Sequence, residues 1–177
     1  TMKRAEEAKV DVIVFGSGGA RRIPEGFDAK VAHEQLVAFS GMLASLASNH
    51  GVTVVVEPLN KGSSNVLLTV AESAALVREV GHPSLRLLVD AFHFMLDDND
   101  YESLVKNGYL LSHAHIATVP TRLPPGGEPC DFGPFFAALA KGGYSGRISI
   151  EAKIPNPEAD LAKALKVMKG LAGNEKG

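Results

Sequence analysis

The chain has 177 residues, 45% hydrophobic and 21% charged, a composition that suits one soluble globular domain. A net charge of -2, 6% aromatics and no Trp exclude a basic face or a base-stacking surface for nucleic acid. The single cysteine, Cys130, makes no internal disulfide, and no apolar run approaches the ~20 residues of a membrane span, so a reducing, cytoplasmic setting without membrane contact is expected.

The N-terminal TMKRAEEAKV reads as a charged helix end without a signal peptide's apolar stretch. DVIVF (11–15) is the first short, β-branched apolar run. The segment FGSGGARRIPEGFD has glycines where backbone turns tightly or approaches another group closely. Such a loop either cradles phosphate or makes an ordinary strand-to-helix turn, and it lacks the GxxxxGK[ST] pattern of a nucleotide loop. Arg21 and Arg22 either meet an anionic group or are solvated. AKVAHEQLVAFSGMLASLASNH has helical spacing, with Val31, Leu36, Phe39, Leu43 and Leu46 near one face and Gly51 as a stop. His33 and His50 read as surface residues.

VTVVVE (52–57) is the second strand. Thr69 and Glu72 form a capping box for AESAALVREV, which Gly81 ends, and His82 is a turn residue. LRLLVD (85–90) and LLSHAHI (110–116) are the third and fourth strands. FGPFFAALAKGGY is a short helix ending at Gly142 and Gly143, and Cys130 just before it reads as structural. RISIE (147–151) is the fifth strand, NPEADLAKALKVMKGLAG the last helix, and the tail 173–177 is expected to fray.

Alternating strands and helices imply an α/β fold with a parallel sheet and right-handed crossovers. An open doubly wound sheet builds its site from one or two strands at a switch point. A (β/α)8 barrel gathers residues from many strand ends at one mouth. Glu57, Asp90, His115 and Glu151 end four successive strands, which favours the barrel. A full barrel needs about 250 residues and eight strands. The expectation is therefore a partial (β/α)8 TIM-barrel-type domain over residues 1–177, with five parallel strands and the first three units absent. The strand at 11–15 would then be an exposed apolar edge, so self-association into a homo-oligomer is expected.

The four strand-end residues make a set of three oxygens and one nitrogen. That set suits a divalent cation, Mn or Co first, Mg or Zn next. Burying these carboxylates without a cation would be costly. Taken singly, each is as readily a solvated strand end. His113 and His115 lie two apart and share a strand face. His115 is nearer the mouth and is the better ligand, while His113 backs it or is a satisfied core histidine. His93 either donates a hydrogen bond to a substrate oxygen or lies on the surface.

VIVFGSGGARRIPEGFD, VVVEPLNKGSSN, LLVDAFHF, HAHIA and ISIEAK together resemble the xylose isomerase-like TIM-barrel superfamily, in its sugar phosphate isomerase/epimerase branch of ketose 3-epimerases and hydroxypyruvate isomerases. The resemblance covers nearly the whole chain and about five-eighths of the family barrel. It implies that Glu57 and Glu151 are both metal ligands and the acid/base pair, and that Asp90 and His115 complete the ligand set. On the substrate side it implies His93, Asn60 of the EPLN motif, His113 of the HxH motif, and Arg122, seven residues beyond His115 where the family usually has about six. Ser63 stands where epimerases often carry a second Glu, and Thr118 where many members carry an acid.

These observations lead to a metal-dependent sugar or sugar-phosphate isomerase or epimerase acting through an enediolate. The alternative is a truncated, non-catalytic barrel fragment or binding module. An apurinic-site endonuclease-like phosphodiesterase is disfavoured by the net charge of -2 and by the absence of a basic stripe.

Overall fold

In the computed structural model, which describes residues 1–173, five strands form one parallel sheet in the order β1-β2-β3-β4-β5. They are β1 (Val12–Phe15), β2 (Thr53–Val56), β3 (Leu85–Asp90), β4 (Leu111–Ile116) and β5 (Ile148–Ile150). Spatial order follows chain order, and the sheet curls into part of a barrel with helices on its outer face. The helices are α1 (Met2–Glu7), α2 (Gly18–Arg21), α3 (Ala29–Ser48), α4 (Val70–Val80), α5 (Ala91–His93), α6 (Tyr101–Asn107), α7 (Gly133–Lys141) and α8 (Pro157–Gly173). The tail from 174 on lies outside the described residues.

Alternation along the strands divides core from concave face. Val54 and Val56, Leu85, Leu87 and Val89, and Ala114 and Ile116 join the helices in the main apolar cluster. Val55 and Leu88, buried but outside that cluster, take the other face with the strand-end side chains. In β4 the alternation is broken on purpose. The pairing jumps from Leu87–Leu111 to Leu88–His113, leaving Ser112 as a bulge residue. Leu111 therefore packs into the apolar cluster while His113, of the same parity, lies beside His115 on the concave face.

Local signals explain most helix ends. Asp28 caps α3 by accepting from Val31 N at 2.9 Å, and Thr69 caps α4 by accepting from Glu72 N at 3.1 Å. Glu72 reaches back to Leu68 N at 2.7 Å, one residue before the expected capping-box partner. Gly81 closes α4 in the left-handed conformation, φ 62.

Two expectations need correction. On α3, Leu36 and Leu43 do pack against the core, but Val31, Phe39 and Leu46 stay 40–47% exposed. The side chains that meet the sheet fully are Ser40, Ala44 and Ala47, small residues that let the helix lie close. Of the larger ones, Phe39 lines a groove of about 560 Å³ beside edge strand β1, with Phe15, Phe27 and Leu36. The stretch between β3 and β4 is also helical: α5 runs into a π-helical turn, Phe94–Asp98, and α6 follows. Asp90 and Asp100 cap these helices by accepting from Phe92 N and Ser103 N, each at 2.9 Å.

Candidate metal centre

The concave mouth is built by register. Asp90 and His115 stand opposite one another across β3 and β4, and His115 stands opposite Ser149, two residues before Glu151. Glu57 follows β2 directly. As a result Glu57, Asp90, His115 and Glu151 each offer a ligand atom, all within 4.8 Å of one another. Asp90 is fully buried, Glu57 nearly so, and Glu151 is half exposed at the rim.

His115 Nδ1 lies 3.0 Å from Glu151 Oε2 and 3.4 Å from Glu57 Oε1. Neither approach has hydrogen-bond geometry, and both His115 Nδ1 and Glu57 Oε1 are buried without a hydrogen-bond partner among the described residues. Orphaned buried polar atoms are costly. Here a donor set of carboxylates and one imidazole converges on a common point rather than pairing internally, which fits a divalent cation. Gly16 completes the cradle, because a Cβ there would meet Glu57 Oε2 at 2.0 Å.

The electrostatics follow from crowding. Burial pushes Asp90 up to about 7, the Phe92 N–H and Arg122 opposing it. Burial pulls His115 down, but the close approach and negative charge of Glu151 and Glu57 outweigh it and leave it raised to about 9. His115 in turn holds Glu151 down at about 2, with burial opposing and Arg122 assisting. Burial and the Arg122 charge lower His93 to about 4, so it is neutral.

His93 is buried, and its Nδ1 accepts from Asn60 N at 3.2 Å. The ring hydrogen therefore sits on Nε2, 3.8 Å from Asp90 Oδ2. Asn60 is buried too, with its side-chain oxygen turned to Ser63 N at 2.9 Å, so the contact it makes with the mouth is through its backbone and His93. His113 bonds Ser149 Oγ through Nε2 at 2.9 Å and meets the His115 ring edge-on at 5.2 Å, one step below the mouth. Arg122 reaches the ligands themselves: its guanidinium donates to Glu151 Oε2 at 2.8 Å and Asp90 Oδ2 at 3.2 Å and lies 4.8 Å over the Phe92 ring.

Arg21 is neither solvated nor free for an anion. It is 8% exposed, donates to Phe15 O at 2.9 Å and Glu57 O at 2.5 Å, and so ties the end of β1 to the residue that ends β2. Arg22 is exposed. His82 bonds Ser84 N in its turn; His33 and His50 pair with Glu79 and Glu6 near the surface. Cys130 is half-buried against the core, and burial raises its thiol pKa. Gly16, the Arg21 clamp and the stacking of Phe92 were not read from the sequence. The dense glycine and arginine content after the first strand is the signal for Gly16 and the Arg21 clamp; nothing in the sequence marks the stacking of Phe92.

No helix among the described residues is long and apolar enough to cross a membrane. The model of the xylose isomerase-like TIM barrel family matches residues 1–171. The chain belongs to the xylose isomerase-like TIM barrel family. Within this family it is 30% identical over 138 residues to a ketose 3-epimerase of Arthrobacter globiformis, covering 76% of this chain and 47% of that one. It is 29% identical over 155 residues to a putative hydroxypyruvate isomerase of Mus musculus, covering 82% and 55%. The solved D-allulose 3-epimerase from Methylomonas sp. in complex with D-allulose superposes with a TM-score of 0.79 at 24% identity, over 96% of this chain and 65% of that one. The chain thus spans about half the length of these curated relatives.

Proposed function

We propose that this xylose isomerase-like chain carries the mouth of a divalent-metal-dependent sugar or sugar-phosphate isomerase or epimerase that works through an enediolate. The observation that carries the proposal is the convergence of Glu57, Asp90, His115 and Glu151, with two of their buried atoms lacking a hydrogen-bond partner among the described residues. Similarity to proteins named as ketose 3-epimerase and hydroxypyruvate isomerase supports a substrate with a carbonyl beside a hydroxyl-bearing carbon. The set suits Mn or Co first, Mg or Zn next. When bound, such a cation supplies the positive charge that stabilises the enediolate oxygens.

The residues of the chain supply the rest. Glu57 and Glu151 take the two proton-transfer roles, one removing the proton beside the carbonyl and the other returning a proton. Return to the opposite face of the same carbon is epimerisation; return to the neighbouring carbon is isomerisation. Neutral His93 offers its Nε2–H to a substrate oxygen, with Asn60 holding the ring in that tautomer. Arg122 offers a guanidinium to a second oxygen or a phosphate, and His113 backs His115. Residues 1–177 act as one cytoplasmic domain that self-associates and has no nucleic-acid or membrane partner.

The test is hydrogen exchange. The purified chain is incubated with Mn or Co in heavy water with a panel of ketoses, aldoses and their phosphates, and sugars are read by mass spectrometry. We expect deuterium beside the carbonyl, removed by EDTA and lost in Glu57→Gln and Glu151→Gln. Metal should also raise the melting temperature, in step with RT ln(1 + [L]/Kd). Metal binding without exchange on any sugar would favour a binding module; no metal binding at all would end the reading.

A further inference from the structure

Behind Arg122 a single carboxylate gathers three donors. Thr118 is fully buried just after β4. Its hydroxyl donates to Glu128 Oε1 at 2.5 Å and accepts from Leu123 N at 3.0 Å. The same Glu128 oxygen accepts from Thr121 N at 3.2 Å and from the Thr121 hydroxyl at 2.6 Å. Backbone bonds close the turn: Thr118 N to Leu123 O at 2.8 Å, Arg122 N to Thr118 O at 3.1 Å, and Lys153 N to Arg122 O at 2.8 Å. Arg122 sits inside it at φ 60, a conformation that a non-glycine residue keeps when its surroundings fix it. From there its guanidinium spans Asp90 and Glu151.

We propose that Glu128 is a positioning residue for Arg122: it locks the turn 118–123 through Thr118 and Thr121, and the turn aims the guanidinium at the mouth. Its functional meaning rests on the reading of that mouth as a sugar site. There, a cationic fork held at a fixed place orients a substrate oxygen without first having to be ordered. The geometry is specific to a short acidic reach. Glu128 lies ten residues beyond Thr118 and returns over the loop PTRLPPGG to meet it. The Thr118 and Thr121 hydroxyls hold its carboxyl below the usual range, in keeping with an ionised acceptor.

Arginine labelling of the full chain tests this without sugar or metal. Phenylglyoxal is added to the native protein, and modification at Arg122 and Arg86 is followed by peptide mass spectrometry. Arg86 is the internal control, because its bonds to Ser112 and Tyr109 lie away from the latch. In Glu128→Ala, Arg122 should label about ten-fold faster while Arg86 keeps its wild-type rate. Glu128→Gln, which keeps an oxygen acceptor, should stay within about two-fold of wild type. An unchanged Arg122 rate in Glu128→Ala overturns the proposal, and so does an equal rise at Arg86, which would mean general loosening. The isomerase reading fails or stands separately, on deuterium exchange.

Discussion

Gly16 and Glu57 share one space: the glycine lacks the Cβ that would stand 2.0 Å from the Glu57 carboxylate oxygen. The atom it would meet is the free end of a side chain, so the fold can yield by swinging that carboxylate aside. Gly16→Ala should therefore lower Mn affinity by about ten-fold or more while shifting the melting temperature by only a few degrees, about the cost of modest overpacking. Titration calorimetry and a melting curve on the same sample separate the two effects. Unchanged Mn affinity would remove Glu57 from the ligand set.

The mouth also predicts opposite pH responses with and without metal. Without metal, His115 is raised to about 9, so the folded chain keeps a proton that the unfolded chain releases near the ordinary value of about 6.5. The native state then binds more protons, and stability falls as pH rises through that window. Asp90, raised to about 7, acts in the same direction from lower pH, while His93, lowered to about 4, acts against it below about 6.5. The clean window is therefore above about pH 6.5. Metal binding requires Asp90 and His115 to give up their protons, so affinity rises across the same window. Denaturant titrations at about pH 6.5 and about pH 8.5, in EDTA and in Mn, should give slopes of opposite sign. Parallel slopes would separate His115 from the metal.

Arg21 is a clamp between two strand ends, charged at neutral pH even though burial lowers it to about 10. Arg21→Met takes the guanidinium donor from the Glu57 carbonyl and leaves the Phe15 carbonyl with the longer bond from Glu57 N at 3.3 Å. A loss of about 2–4 kcal/mol is expected, seen as a lower denaturation midpoint with unchanged slope. Arg21→Lys should recover only part of it, since one ammonium does not span both carbonyls. A loss within about 0.5 kcal/mol would show that the clamp holds nothing.

The exposed side of α3 should mediate self-association. Met42 and Leu46 are 51% and 47% exposed on α3, the helix whose Phe39 lines the apolar groove near edge strand β1. Sedimentation velocity should find the wild-type chain associated and the Met42→Lys, Leu46→Lys chain monomeric, with Mn affinity the same in both. A wild-type monomer would refute the association.

Much of this architecture was legible because strands announce themselves. The five runs at 11–15, 52–57, 85–90, 110–116 and 147–151 lie within a residue or two of the observed strands, and four of them carry an ionisable residue at the end. The convergence of those four side chains follows from parallel pairing alone. What was not legible depends on partners distant in sequence. Nothing in LLSHAHI marks Ser112 as a bulge, because the bulge exists only in the pairing with β3. Asp90 reads as a strand-end metal ligand and nothing singles out Asp100, and their capping roles emerge only once the backbone turns after each. Arg21 reads as solvated or as an anion contact, because the carbonyls it bonds carry no side-chain signature. Thr118 looked like a lost acid, whereas Glu128 brings a carboxylate to it from ten residues on. On α3 the larger apolar residues misled, since small ones made the closer contact.

The strict chain-order sheet has a consequence for how the protein is made. Each strand pairs with the one synthesised just before it, so the sheet can grow unit by unit as the nascent chain emerges. One contact does not follow that rule. Arg147, at the start of β5, donates both ways into Asp11, at the start of β1, across 136 residues. Glu151, at the other end of the same strand, meets His115 and Arg122. The floor clasp and the last ligand thus arrive together with one three-residue strand, and until it docks the emerging chain presents an incomplete set of donors to any passing cation.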